Sequence, residues 1–177
     1  GKQIYKLTKS GNRNKLVFFG IMDYEPNILA VEYIIKNILP QLNEKYEIEI
    51  VGPKVSAKLK KLENSRLKFC GYVKSIKEKL KEEDIFICPI LAGSGVKNKI
   101  LQAGGIGLPI VCTDLSLEGI NNEIKEVVYI ANTAKEFVQK IEEINNTDKK
   151  ELEKRLEKQK EIIKKYNSRT IIEKILK

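Results

Sequence analysis

Apolar residues in this chain fall into two kinds of run. The short, nearly unbroken ones are KLVFFG at 15–20, IEIVG at 48–52, LKFCG at 67–71, DIFICPI at 84–90, LPIVCT at 108–113 and EVVYI at 126–130. Each predicts a strand. Between them lie stretches with helical spacing. In EPNILAVEYIIKNILPQL (25–42), Ile28, Val31, Ile34, Ile35 and Ile38 recur on one face, and Pro26 suits a first helical turn. Further helices are predicted at 56–63, 75–83, 97–104, 134–144 and 149–166, with a last one in SRTIIEKILK. NNTDKK at 145–150 reads as a helix break, with Thr147 or Asp148 as the cap of the helix after it. Strands that are continuously apolar are buried on both faces, as in a parallel sheet covered by helices. The alternation therefore predicts a doubly wound, Rossmann-like α/β fold. Its expected form is three α/β/α layers on a six-stranded, mostly parallel sheet, with the C-terminal helices packed alongside. The expected division is a lead-in at 1–14, the Rossmann-like unit at 15–145 and the C-terminal helices at 146–177.

Composition narrows the function classes. A chain of 177 residues suits one domain and can bury a core unaided. It begins at Gly1 with no Met, so it is expected to be a piece of a longer protein. There is no His, which removes His bases, Ser-His-Asp triads and His-ligated metals from this chain. Cys70, Cys88 and Cys112 sit in apolar runs without Cys-x-x-Cys spacing, and read as small buried hydrophobes in a reducing compartment. No run is long enough for a membrane span. The net charge of +9 is uneven: residues 54–81 carry +8, residues 146–177 carry +5, and the remainder is negative. Such blocks are either solvated lysine faces or a contact for an anionic surface. Aromatic residues do not interleave with the lysines, and no nucleic-acid motif is present, so no nucleic-acid partner is expected.

The candidate chemistry lies after the strands. Gly20, Gly52, Gly71 and the pair Gly93/Gly95 all fall just past predicted strand ends, on the edge where open α/β sheets bind ligands. LAGSGVKNKILQ (91–102) is the strongest of these segments. Gly93, Ser94 and Gly95 can present backbone N–H groups at a helix N-terminus, which suits phosphate, and Lys97 or Lys99 can neutralise it. Two residues apart on a helix, these lysines point in roughly opposite directions, so one faces the ligand and the other solvent. Lys99 is the choice, because it shares a face with Gln102. The loop is neither a Walker A loop nor the dinucleotide Gly-x-Gly-x-x-Gly, since position 98 is Asn.

In order and spacing, these segments over residues 15–131 resemble the C-terminal, donor-binding domain of GT-B glycosyltransferases. They are most similar to the retaining group 1 (family 4-like) enzymes with a Gly-Ser/Thr-Gly-x-Lys-x-Lys loop. The resemblance implies an enzyme that transfers a sugar from a nucleotide-diphosphate sugar to a glycan, lipid-linked glycan or protein. It implies cell-surface polysaccharide biosynthesis of the bacterial type, in the cytoplasm or at the inner face of an anionic membrane. The nucleotide-sugar is the substrate, and neither a cofactor nor a metal is expected. Carried over by position, Gly20 would face the diphosphate, and Tyr72 and Val73 would hold the base through backbone groups. Gly93, Ser94, Gly95 and Val96 would line sugar and diphosphate, and Lys99 would meet the leaving diphosphate. The family's paired glutamates would fall at Ser94 and Gln102. Gln102 keeps an acceptor oxygen for the ribose but not the charge that strengthens such bonds. A degenerate, non-catalytic binding or scaffold module is the alternative. The family's N-terminal acceptor domain is not in this chain, so the chain alone is expected to be inactive.

Overall fold

The structure, a computed structural model, describes residues 12–176; most of the lead-in, residues 1–11, lies outside them. The strands are β1 (Lys15–Phe19), β2 (Glu47–Val51), β3 (Leu67–Gly71), β4 (Ile85–Cys88), β5 (Ile110–Cys112) and β6 (Tyr129–Ile130). They form one sheet in the order β3-β2-β1-β4-β5-β6, and every pairing is parallel. The doubly wound α/β expectation holds. Leu16 of β1 pairs with Ile48 on one side and Ile85 on the other. Residues 16–19 and 85–88 are buried throughout, as unbroken apolar runs require of central strands.

Helices cover the two faces. They are α1 (Glu25–Tyr33), α2 (Ala57–Lys60), α3 (Ile76–Leu80), α4 (Lys97–Ile106), α5 (Ala134–Asn146) and α6 (Lys149–Leu176). Ser56, Ser75 and Thr133 cap α2, α3 and α5 through side-chain oxygens that accept from Leu59, Glu78 and Glu136 N–H groups. Of the two candidates at the 145–150 break, Asp148 caps α6: its Oδ2 accepts from Lys150 N at 3.1 Å and Glu151 N at 3.4 Å. Thr147 instead closes α5, donating to Glu143 O at 2.6 Å.

Three expectations about elements are corrected. The single helix foreseen at 25–42 is α1 followed by a wide π turn (Ile34–Ile38) and a 3₁₀ turn (Leu39–Gln41). Pro40 has no N–H for the Lys36 carbonyl and its ring crowds that group, so a regular α-helix cannot pass through. The two helices foreseen after 148 are one, because Ser168 and Thr170 do not break it. Their hydroxyls bond back to Lys164 O (3.0 Å) and Tyr166 O (2.9 Å) within the helix. The strand foreseen at 126–130 keeps only two residues, since Asn122–Glu126 coils into a 3₁₀ turn.

One ionic cluster reaches into the packed interior. Lys79 Nζ lies 2.7 Å from Glu49 Oε2 and 3.4 Å from Glu83 Oε1, and the Glu83 side chain is fully buried. Cys70, half-buried, points its thiol at Glu49 (3.6 Å), whereas Cys88 and Cys112 are buried among apolar neighbours; all three are free thiols.

The chain winds outward from β1 through β2 to β3, then returns to the other side of β1 and winds outward again through β4, β5 and β6. Successive connections therefore diverge between β1 and β4. Loops leaving those two carboxyl ends cannot cover each other, and a crevice must open there.

Candidate functional site

That crevice is a cavity of about 450 Å³, within the range of small-molecule sites. One wall is the turn after β1 together with the start of α4: Gly20, Gly95, Val96, Asn98, Lys99 and Gln102. The opposite wall is Gly52, Pro53, Tyr72, Val73 and Ile76, and Ile21, Tyr24 and Asn27 stand at the front. The walls come close because backbones meet without side chains. A Cβ on Gly52 would overlap the Gly20 carbonyl oxygen, and Gly52 N donates to Gly71 O at 2.8 Å.

Lys99 enters from the first turn of α4. Its ammonium donates to Phe19 O at 2.8 Å and lies over the Phe18 and Phe19 rings, 5.5 and 5.1 Å from their centres. Burial is the largest influence on it and lowers its pKa from the ordinary lysine value; the nearby Cys88 thiol acts weakly in the other direction. Among the described residues no carboxylate pairs with it. A half-buried ammonium with one carbonyl and two rings for company is electrostatically incomplete, and an anion in the cleft would complete it. The N-terminus of α4 adds to this. Val96 occupies its cap position and provides no side-chain hydrogen bond; Lys99 N donates to Val96 O at 3.1 Å, and the Lys97 and Asn98 N–H groups before it stay open beside Gly95.

Seven of the nine residues singled out from sequence line this cavity: Gly20, Tyr72, Val73, Gly95, Val96, Lys99 and Gln102. Gly93 and Ser94 do not. They sit behind the rim, where Ser94 O accepts from Tyr24 Oη at 3.0 Å and Gly93 lies against the Pro26 ring. Lys97 points away from the cleft, as helical geometry requires, but it is not simply solvated: its ammonium lies 3.4 Å from Tyr166 Oη on α6.

Sequence reasoning missed Ile21, Tyr24, Asn27, Pro53 and Ile76. Tyr24-Glu25-Pro26-Asn27 was legible only as a helix start; that it follows a central strand, on the ligand edge, was the available signal.

Comparison with known proteins agrees with this architecture. The family model described as glycosyl transferases group 1 matches residues 13–146. No curated protein sequence matches. Among solved structures, a glycosyltransferase from Rickettsia africae ESF-5 is 19% identical with a TM-score of 0.66, over 99% of this chain and 51% of that one. Anabaena Alr3699/HepE, solved in complex with UDP and glucose, is 13% identical with a TM-score of 0.67, over 93% and 47%. The C-terminal domain of LpcC, a glycosyl transferase group 1 family protein from Francisella tularensis, is 16% identical with a TM-score of 0.62, over 93% and 90%. The chain thus spans about half the length of the first two. These likenesses are of fold.

Proposed function

Starting from the premise that this chain belongs to the group 1 glycosyl transferases, we propose that it is the sugar-donor half of such an enzyme, with the nucleotide-diphosphate sugar in the cleft between β1 and β4. The observation that carries this assignment is Lys99, a half-buried cation that no carboxylate pairs with among the described residues, in the first turn of a helix without a side-chain cap. Diphosphate fits that corner. The β-phosphate becomes more negative as the sugar departs, and Lys99 with the first-turn amides of α4 stabilises that charge as fixed donors do at other developing anions. The apolar wall of Tyr72, Val73 and Ile76 suits the base, and Gln102, which also lines the cavity, would accept from the ribose.

A second reading, a binding module without turnover, is favoured by Gln102, which holds a neutral amide where the family resemblance expects a carboxylate. Titration calorimetry of the 177-residue chain with UDP, GDP, ADP and their sugars tests the first assignment. Saturable binding of one nucleoside diphosphate, weakened in Gln102→Ala, supports it; no binding by any of them rules it out. Transfer by the full-length protein then separates the enzyme from the binding module.

The partner of this half is the rest of the longer protein. Ile171, Ile172, Ile175 and Leu176 are exposed by half or more at the end of α6. By helical spacing Ile172, Ile175 and Leu176 lie about a third to half a turn around the helix from Leu152, Leu156 and Ile163, which it buries against this domain, and Ile171 lies nearer that buried line. A surface facing away from this domain needs cover from outside it, and the acceptor half supplies that cover. Faster hydrogen exchange at 168–176 in the isolated chain than in the full-length protein is the expected result; identical exchange would count against this partner.

A further inference from the structure

The glycine loop is weakly held. Residues 91–95 are exposed and Gly93 and Gly95 have φ of +97° and +76°. The helix behind them has no side-chain cap. Among the described residues, one hydrogen bond ties positions 92–95 to another part of the chain: Tyr24 Oη to Ser94 O, 3.0 Å. Beside it the Pro26 ring lies so close to Gly93 that a Cβ there would overlap it. The next residue, Asn27, is buried, lines the cavity, and donates Nδ2 to Ile21 O at 3.0 Å, fixing the turn from which Tyr24 projects.

We infer that Tyr24 is a positioning residue for the anion-binding loop, and that segment 24–27 acts as a brace across the cleft. The phenol spans from the β1 side to the β4 side. By holding the Ser94 carbonyl toward its hydroxyl it fixes the Gly95 N–H of the same peptide unit on the opposite side, just ahead of the first turn of α4. A peptide unit cannot present its C=O and the next N–H in the same direction, so fixing the carbonyl selects the amide face offered to the ligand. Pro26 limits the sideways travel of Gly93, and Asn27 keeps the brace at a constant distance from Gly20. Tyr24 is about half exposed (45%), so removing its hydroxyl leaves the core untouched. The cost falls on preorganisation, because the loop must then be ordered when the ligand binds.

This inference rests on the donor-site assignment above, and its test has two arms that fail separately. In the first, amide hydrogen exchange is followed across residues 92–98 of the nucleotide-free 177-residue chain in wild type and Tyr24→Phe. About five- to tenfold faster exchange there, with unchanged thermal midpoint and unchanged exchange in β1 and β4, is expected. Equal exchange in the two proteins overturns the brace whether or not any nucleotide binds. In the second, UDP, GDP and ADP are titrated into both. About fivefold weaker binding of the preferred nucleotide by Tyr24→Phe is expected, again at unchanged thermal midpoint. Equal affinity overturns the positioning role. Absence of binding in the wild type as well overturns the donor-site assignment and this role together, while the exchange result still decides the brace.

Discussion

Lys99 and Lys97 are two residues apart on one helix and have different surroundings. Lys99 is aimed into the cleft with a backbone carbonyl and two aromatic faces; Lys97 is turned toward Tyr166 of α6. A charge-assisted contact to phosphate contributes about 1.5–3 kcal/mol, so Lys99→Ala is expected to weaken nucleoside diphosphate binding by roughly tenfold or more. Lys97→Ala is expected to leave affinity nearly unchanged. Titration of both variants checks this, and a loss confined to Lys97 would mean that the ligand meets the other face. A different residue governs pH dependence. Burial raises the Glu83 carboxyl to about 8, helped by a hydrogen bond to Glu49. Burial also opposes ionisation of Glu49, but the Glu83 hydrogen bond and Lys79 outweigh it and hold Glu49 near 2. Lys15 and the Cys70 thiol also face this pair. The folded protein thus keeps a proton on Glu83 that the unfolded chain releases near pH 4.5. Folded binds more protons than unfolded between those values, so stability falls as pH rises through them, by up to ~1.4 kcal/mol per pH unit. Urea unfolding is expected to show a lower wild-type midpoint at about pH 8.5 than at about pH 5.5. In Glu83→Gln, which cannot ionise, that difference is expected to shrink; parallel profiles for the two proteins would exclude this source.

At the scale of elements, α6 has two ends with different tasks. Its first half is part of the domain. Leu152, Leu156, Ile162 and Ile163 are buried, and the fully buried Gln159 donates Nε2 to Gly104 O (3.2 Å) and Leu108 O (2.9 Å). Gln159 thereby satisfies carbonyls at the C-terminal end of α4 and fixes that helix in place. Arg155 does the same for Val127 O and Val128 O while stacking on Tyr129, 3.8 Å from the ring centre. The last two turns touch little of this. Gln159→Ala is expected to cost about 2–3 kcal/mol, from the lost packing and the Leu108 carbonyl left without its donor, Gly104 O keeping the Gly107 N–H. Ending the chain after Asn167 is expected to change the thermal midpoint by only ~2 °C or less. Calorimetric unfolding of both variants distinguishes them. A large loss on truncation would mean that the terminal turns are anchored to this domain after all.

For the whole molecule, the cleft is walled by this chain on the sheet side, which on the proposed reading is one half of a two-part enzyme. It opens at the carboxyl edge of the sheet, with Ile21, Tyr24 and Tyr72 exposed around it. Among the described residues, none stands opposite to hold an acceptor or exclude water. The 177-residue chain is therefore expected to bind nucleotide without transferring sugar, and a product assay with UDP-glucose, GDP-mannose and ADP-glucose should show no turnover. Sugar transfer by this chain alone would contradict the division of labour.

What the sequence determined by itself was the alternation of buried strands and amphipathic helices, because burial on both faces demands unbroken apolar runs and no other arrangement hides them. It also determined the loop that carries Lys99, since spacing on a helix fixes which of two lysines can share a face with Gln102. Most of one wall of the cleft, from Gly20 to Gln102, was legible in this way. Only the tertiary structure decided the strand order, hence that the cleft lies between β1 and β4 and that the turn after β2 supplies Pro53. Side-chain pattern reports which faces are buried but not which neighbour buries them. Tyr24, Asn27 and Glu83 escaped for the same reason. A tyrosine that bonds a carbonyl seventy positions away, an asparagine that pins a turn, and a carboxyl that shares a proton with Glu49 look like ordinary polar residues along the chain. Their roles arise from distances that exist only once the sheet has formed.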